Sequence, residues 1–175
     1  MSLQPLCAAD LPACHAVFLD SVWALAGDLY SERQCEAWAP RGPWTAELAQ
    51  GWQARLARAW GCRWRADDGR LAGFAWLCHD GEFDMLFVAP WAQRRGGAGR
   101  MLAELEAQAA AAGVVALHAW ASAASRRVFE RAGYRLVRHN RVLRHGVTLD
   151  NDLLSKGGWQ EPAAVDVAMV DREGK

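Results

Sequence analysis

The stretch from Phe83 to Leu102, FDMLFVAPWAQRRGGAGRML, constrains this chain more than any other. A strand pattern over 82–88 is stopped by Pro90, and a loop carrying Gly96, Gly97 and Gly99 opens into a helix. Glycine lets a backbone turn sharply and come close to a ligand. The first N–H groups of a helix have no intrahelical acceptor, so with the helix dipole they form an anion site, most naturally for phosphate. One dipole contribution is only about 0.3–1 kcal/mol. Several converging N–H groups with Arg94, Arg95 and Arg100 nearby could hold a pyrophosphate; the plainer alternative is a flexible glycine loop before an ordinary helix. Two nucleotide motifs are excluded. A P-loop needs Lys-Ser/Thr after its last glycine, where Arg100-Met101 stands. The dinucleotide fingerprint GxGxxG is unmatched, and no acidic residue follows about 20 positions on.

The 175 residues suit one compact domain. Apolar residues make up 52% and charged residues 23%, a globular composition. The formal net charge is zero, which argues against a bulk nucleic-acid binder. The charge is unevenly spread: residues 93–149 carry ten basic and three acidic side chains. A basic third in a neutral chain suits a local anionic ligand, although Arg-rich helix faces are commonly just solvated. No apolar stretch reaches the roughly 18–20 residues of a membrane span, and the first residues show no signal-peptide pattern, so no membrane association is expected. The five cysteines, Cys7, Cys14, Cys35, Cys62 and Cys78, form no CxxC. Neither a disulfide framework nor a metal site is indicated, and a cytoplasmic protein is expected.

Along the chain, a first strand is expected at Ser2–Leu6 and a helix capped by Asp10 running to about Gly27. Ser31 starts a second helix. Leu48, Trp52, Leu56 and Trp60 recur every four positions, which predicts an amphipathic helix from Trp44 to Trp60. Strands follow at 62–66, 71–78 and 82–88, then a helix from Gln93 to Ala112, a strand from Val114 to Trp120 and a helix from Ser122 to Ala132. Two closing strands are expected at 134–139 and 141–149. A strand, helix and strand in succession make the Val114 strand parallel to the Glu82 strand by a right-handed crossover. The class is α/β, with helices on both faces of a mixed sheet.

These residues resemble the GNAT superfamily of acyl-CoA-dependent N-acyltransferases. Its signature, Val-x-Pro followed by Gln/Arg-x-x-Gly-x-Gly/Ala, is met by Val88-Ala89-Pro90 and Gln93-Arg94-Arg95-Gly96-Gly97-Ala98. The second half, ALHAWAS then AASRRVFERAGY, is similar to the family's strand, helix and Gly-aromatic ending. LYSERQCEAWAP, LAGFAWL and RVLRHGVTLDNDLLSK resemble a bacterial subgroup often called YafP-like. The resemblance spans about residues 3–156. It implies a mostly antiparallel sheet of six to seven strands with one parallel pair splayed apart. One GNAT-like domain over 1–156 and an acidic tail over 157–175 follow.

The resemblance also implies roles. Acetyl-CoA (coenzyme A) would be the acyl donor, its pyrophosphate on the backbone of Arg94, Arg95, Gly96, Gly97, Ala98, Gly99 and Arg100, beside Gln93. Leu86, Phe87 and Val88 would bond the pantetheine arm through their backbone. An N–H near Val88 would polarise the thioester carbonyl. Ser122 takes the place of a frequent Asn, and Phe129 takes the place of the usual Tyr that protonates the leaving thiolate. Ser125 or a water is then the replacement acid, because a thiol of pKa near 8.5 leaves with limited help. Glu82 and Asp84, two apart on one strand face, are the candidate bases; His118 and His145 could also titrate near neutrality. Trp23, Tyr30 and Trp38 would line the acceptor pocket. The expected reaction is direct acetyl transfer to a primary amine of a small molecule or a protein. The rival reading is an acyl-CoA-binding regulatory module with little turnover. An exposed strand edge is compatible with a homodimer, and the tail could serve a protein interaction.

Overall fold

The computed structural model describes residues 1–162; the acidic tail beyond Glu161-Pro162 lies outside the described residues. Seven strands form one sheet: β1 (Ser2–Pro5), β2 (Ala59–Arg65), β3 (Leu71–Cys78), β4 (Glu82–Val88), β5 (Leu117–Ala121), β6 (Arg135–Arg144) and β7 (Val147–Lys156). Their order is β1-β2-β3-β4-β5-β7-β6, and only β4 and β5 run parallel. Five α-helices complete the fold: α1 (Leu11–Trp23), α2 (Glu32–Trp38), α3 (Ala46–Leu56), α4 (Gly97–Ala111) and α5 (Arg126–Arg131). The parallel pair needs a crossover, and α4 supplies it.

The interior strand β3 is buried on both faces, which explains its unbroken apolar run. On one face Phe74 and Trp76 meet Trp52 of α3, at 6.0 and 5.5 Å between rings. On the other face Met101 of α4 closes on Gly73, where a Cβ would lie 3.0 Å from its methyl group. Helix α4 buries Met101, Leu102, Leu105 and Ala109, the stripe a 3.6-residue period produces. Helix α2 starts on a capping box: the Ser31 hydroxyl accepts from Gln34 N–H at 3.2 Å, and Gln34 Oε1 accepts from Ser31 N–H at 3.0 Å.

Several boundaries differ from the sequence reading, each for a physical reason. The helix expected to reach Trp60 stops at Leu56, and Trp60 pairs with Leu77 in the sheet. A fourfold spacing cannot tell the end of a helix from the strand that returns beneath it. Gly61 makes that return possible, since a Cβ there would lie 2.8 Å from Leu56 Cδ1. Asp10 stands at the N-cap position of α1 but makes no side-chain bond to that helix; its carboxylate instead closes the 3-10 turn before it, accepting from Cys7 N–H at 3.0 Å, and accepts from the guanidiniums of Arg63 and Arg65. Helix α4 begins at Gly97 rather than Gln93, after a 3-10 turn over Pro90–Ala92. Strand β5 begins at Leu117 rather than Val114, and α5 at Arg126 rather than Ser122. The two closing strands form one longer hairpin. Asn140 does not break it, because its amide donates to Asn151 Oδ1 at 2.9 Å across the pair. The turn falls at His145-Gly146, both left-handed (φ 47° and 71°), the conformation a two-residue hairpin turn favours. Beyond β7, Trp159 stacks on His118 with ring centroids 4.3 Å apart, and Glu161 accepts from Arg138 Nη2 at 2.7 Å.

Candidate active site

The site begins with an irregularity in β4. Leu77 pairs with Phe83 and Trp76 with Met85, which leaves Asp84 as an extra residue, a β-bulge. The β4–β5 ladder covers only Glu82↔His118 and Phe83↔Ala119. The strands therefore part where the bulge lies, and β4 from Asp84 onward has no β5 partner.

The hydrogen-bond alternation fixes which backbone groups face this gap. Ala89 N–H donates to Ala72 C=O at 2.9 Å, so Ala72–Ala89 is a hydrogen-bonded pair. In an antiparallel ladder such pairs alternate. Phe87, opposite Phe74, is then committed to β3, while Leu86 and Val88 turn their N–H and C=O groups away from it. Three consecutive backbone contacts to a ligand, as the sequence reading expected, are reduced to two residues. The Val88 carbonyl already accepts from Ser21 Oγ of α1 at 3.0 Å, which leaves its N–H facing the gap. Ser21 touches the candidate site through this bond, and no motif marks it in the sequence.

Above the gap lies the start of α4. Its first bond of helical span is Arg100 N–H to Gly96 C=O at 3.1 Å, so the amides of Gly97, Ala98 and Gly99 lie ahead of it with no side-chain cap. Arg94 and Gly96 are left-handed (φ 62° and 78°). A Cβ at Gly96 or Gly99 would meet nothing within 4 Å, so both face open space. Gly97 does other work: a Cβ there would lie 2.1 Å from the Trp64 ring, so this glycine lets α4 pack on β2. Gln93, Arg94, Arg95 and Arg100 are exposed around the loop, and Ala98 is half-buried. The uncapped amides, the two open glycines and the unpaired edge of β4 fit an extended ligand with a pyrophosphate at one end.

At the lower end, the turn from β5 into α5 is closed by two serines. Ser125 Oγ accepts from Ser122 N–H at 3.0 Å and lies 3.1 Å from Ser122 Oγ. The proton-donor role considered for Ser125 thus falls on a hydroxyl engaged within its own turn. Phe129 is buried, packed edge-on against Phe83 and Tyr134 at 5.6 and 5.1 Å. Tyr134 lies beside Glu106 and Lys156, and burial pushes its phenol far above the ordinary range. Tyr30 behaves differently. Its hydroxyl accepts from Ala123 N–H at 3.2 Å, beside Ser122. Its ring packs on Trp38 at 5.5 Å, and Trp38 in turn lies 6.4 Å from Phe87 of β4. Tyr30 thus spans from the α1–α2 loop to the β5–α5 turn. Burial raises its pKa, with Ala123 N–H and Ser122 pulling part of the way back, so it stays protonated at neutral pH.

The candidate bases part company. Asp84 Oδ2 accepts from Arg55 Nε at 2.8 Å, from Arg55 Nη2 at 2.6 Å and from Trp76 Nε1 at 2.8 Å, and its side chain is 5% exposed. Glu82 lies opposite His118 in the last paired stretch before the gap. His118 stacks on Trp159, and His145 sits in the hairpin turn. Trp23 donates from Nε1 to Ala39 C=O at 3.0 Å and carries Arg41 over its ring at 3.6 Å, so it ties α1 to the end of α2. All five cysteines are free; burial raises Cys14 and Cys62 to about 12, so neither is a thiolate at neutral pH. No helix of the described residues is long and apolar enough to cross a membrane.

The sequence over residues 30–151 matches the profile of the acetyltransferase (GNAT) domain. No curated protein matches the chain. Among solved structures, a GCN5-related N-acetyltransferase from Rhodopseudomonas palustris is 31% identical, with a TM-score of 0.79 over 89% of this chain and 94% of that one. A GNAT-superfamily phosphinothricin acetyltransferase from Sinorhizobium meliloti, in complex with acetyl-CoA, is 20% identical with a TM-score of 0.70, over 93% and 92% of the two chains. A PaiA N-acetyltransferase from Thermoplasma acidophilum, in complex with coenzyme A, is 19% identical with a TM-score of 0.67, over 90% and 99%.

Proposed function

The chain belongs to the GNAT acetyltransferase family, and from that premise we propose that it transfers an acetyl group from acetyl-CoA to a primary amine. The observation that carries this reading is the continuity of two features: the unpaired edge of β4 leads to the uncapped start of α4. The amides of Gly97, Ala98 and Gly99, with Arg94, Arg95 and Arg100, hold the pyrophosphate. Leu86 and Val88 hold the pantetheine arm as an added strand, and the Val88 N–H faces the thioester carbonyl. Acetyl-CoA supplies the activated acyl group.

The amine attacks the acyl carbon as the C–N bond forms and the C–S bond breaks. Glu82 takes the amine's proton; Asp84, already accepting from Arg55 and Trp76, acts as a counter-ion. Tyr30 gives a proton to the departing sulfur, the task of the tyrosine whose position Phe129 occupies. Trp38 and Tyr30 wall the acceptor side. The acceptor is a small molecule or a protein amine, the domain spans 1–156, and the compartment is the cytoplasm; YafP-like membership and a homodimer belong to the same proposal.

A continuous thiol-release assay with acetyl-CoA and an amine panel tests the reading. Glu82→Gln should lower turnover while acetyl-CoA affinity is kept. Phe129 favours a second reading, an acyl-CoA-binding module that turns over poorly. Tight acetyl-CoA binding with no thiol release for any amine would select it.

A further inference from the structure

Two glycines bring three distant segments together at the start of β5. Gly81, in the turn between β3 and β4, has φ 92°, and a Cβ there would lie 2.3 Å from the Ala116 carbonyl oxygen. Gly157, directly after β7, has φ 69°, and a Cβ there would lie 1.8 Å from the Val115 carbonyl oxygen. Only glycine allows either approach. The first contact sets Glu82 beside β5, where it pairs with His118. Residues opposite each other in a ladder send their side chains from the same face of the sheet. The second contact turns the chain back onto the sheet. Trp159 then lies on His118, with ring centroids 4.3 Å apart and planes 19° from parallel. This hook is tied at its far end, where Glu161 accepts from Arg138 Nε at 2.9 Å and from Nη2 at 2.7 Å. The Arg138 guanidinium in turn lies 5.1 Å from the centre of the Trp120 ring. Trp120 is two residues from His118 on β5, so both ends of the hook rest on one face.

We propose that Trp159 is a positioning residue for the acetyl transfer: stacked on His118, it fixes that ring as a wall for the Glu82 carboxylate at the edge of the gap. The proposal rests on the reading above, in which Glu82 takes the amine's proton. Glu82 stands in the last paired stretch, one residue before the β4–β5 ladder ends at Phe83 and Ala119. A glutamate side chain has several staggered rotamers, and a base works only from those that bring its oxygen within hydrogen-bond reach of the proton it takes. A neighbouring ring that turns freely leaves most of those rotamers open. A ring held from its own face by an indole closes some of them, and the carboxylate spends more time in the rest. Trp159 takes part in no bond change; it acts through His118.

The test is a double-mutant cycle in the thiol-release assay, with saturating acetyl-CoA and the fastest amine of the panel. Trp159→Leu should lower kcat about tenfold while acetyl-CoA affinity, read by calorimetry, is kept. Trp159→Phe keeps a flat ring on His118 and should recover most of that loss. In a Glu82→Gln background Trp159→Leu should cost nothing further, because its effect runs through the carboxylate. A readout without turnover accompanies the cycle. In NMR spectra the His118 ring protons should lie upfield under the indole ring current, move back in Trp159→Leu and stay displaced in Trp159→Phe. Unchanged kcat in Trp159→Leu, whatever the change in unfolding midpoint, overturns the proposal and leaves acetyl transfer standing. So does an equal loss in the Glu82→Gln background, a Trp159→Phe variant as slow as Trp159→Leu, or His118 resonances that none of these changes moves. No thiol release by the unaltered protein with any amine would overturn acetyl transfer, and the positioning role with it.

Discussion

The two halves of the proposed site are built from different materials. The donor half, β4 and the start of α4, is made of backbone: amides at Gly97 to Gly99 and strand groups at Leu86 and Val88, all within fourteen positions of the chain. The proposed acceptor half is made of side chains from distant elements: Tyr30 and Trp38 near α2, and Glu82 and Asp84 of β4 with Arg55 of α3. A backbone site needs particular φ and ψ angles, and those leave a local imprint as glycines at fixed spacing. A side-chain site needs only that the fold bring groups together, and it leaves no spacing to read.

The first way to break this contrast is Gly96→Asp. It places a carboxylate on an open face of the loop and should cut acetyl-CoA affinity at least about a hundredfold, with a small fall in the unfolding midpoint, about 1 kcal/mol in stability, because a side chain at φ 78° is strained. Calorimetric titration checks the first part and thermal denaturation the second; unchanged affinity would remove the loop from the donor half. Gly97→Val separates neighbouring glycines by role. Its side chain would strike the Trp64 ring, so a loss of roughly 3 kcal/mol in denaturant unfolding is expected, before any ligand is added.

In the acceptor half, Tyr30→Phe should lower kcat about tenfold and leave acetyl-CoA affinity alone. The deficit should shrink with acetyl thioesters of more acidic thiols, because a better leaving group needs less protonation. A uniform deficit across thioesters would make Tyr30 a wall of the pocket only.

The smallest effect sharpens the contrast from outside both halves. Asp10 is buried; burial alone would raise its carboxyl, but Cys7 N–H, the Cys7 thiol and Arg63 outweigh it and hold it below the usual value. Its stabilising contribution is complete above the unfolded-state pKa of an aspartate and is lost as pH falls through the lower folded value. Asp10→Asn should therefore weaken stability at neutral pH by about 2 kcal/mol and make the remaining acid unfolding shallower, with acetyl-CoA affinity intact. Urea titrations at pH 7 and below pH 4 check this.

The same contrast explains what the sequence alone made legible. Element order, the parallel β4–β5 pair and the glycine loop were all readable, since periodicity and Gly-Pro punctuation carry them. The division of labour among the glycines was not, because the demand at Gly97 comes from Trp64, thirty-three positions earlier. Alternation alone could not place the bulge at Asp84, which shows only in the pairing register. Tyr30 was readable as a pocket residue, but its hydroxyl's approach to Ala123 joins segments 93 positions apart. The hairpin turn at His145-Gly146 was hidden because Asn140, usually a breaker, is satisfied by Asn151 across the pair.

Thermal unfolding with acetyl-CoA, beside ATP and NAD, tests the central claim most directly. At a hundred times its dissociation constant a ligand adds about 2.7 kcal/mol, several degrees for a domain of this size. The account predicts a rise with acetyl-CoA alone, lost in Gly96→Asp. No rise for the folded protein at millimolar acetyl-CoA, or an equal rise with ATP, would contradict it.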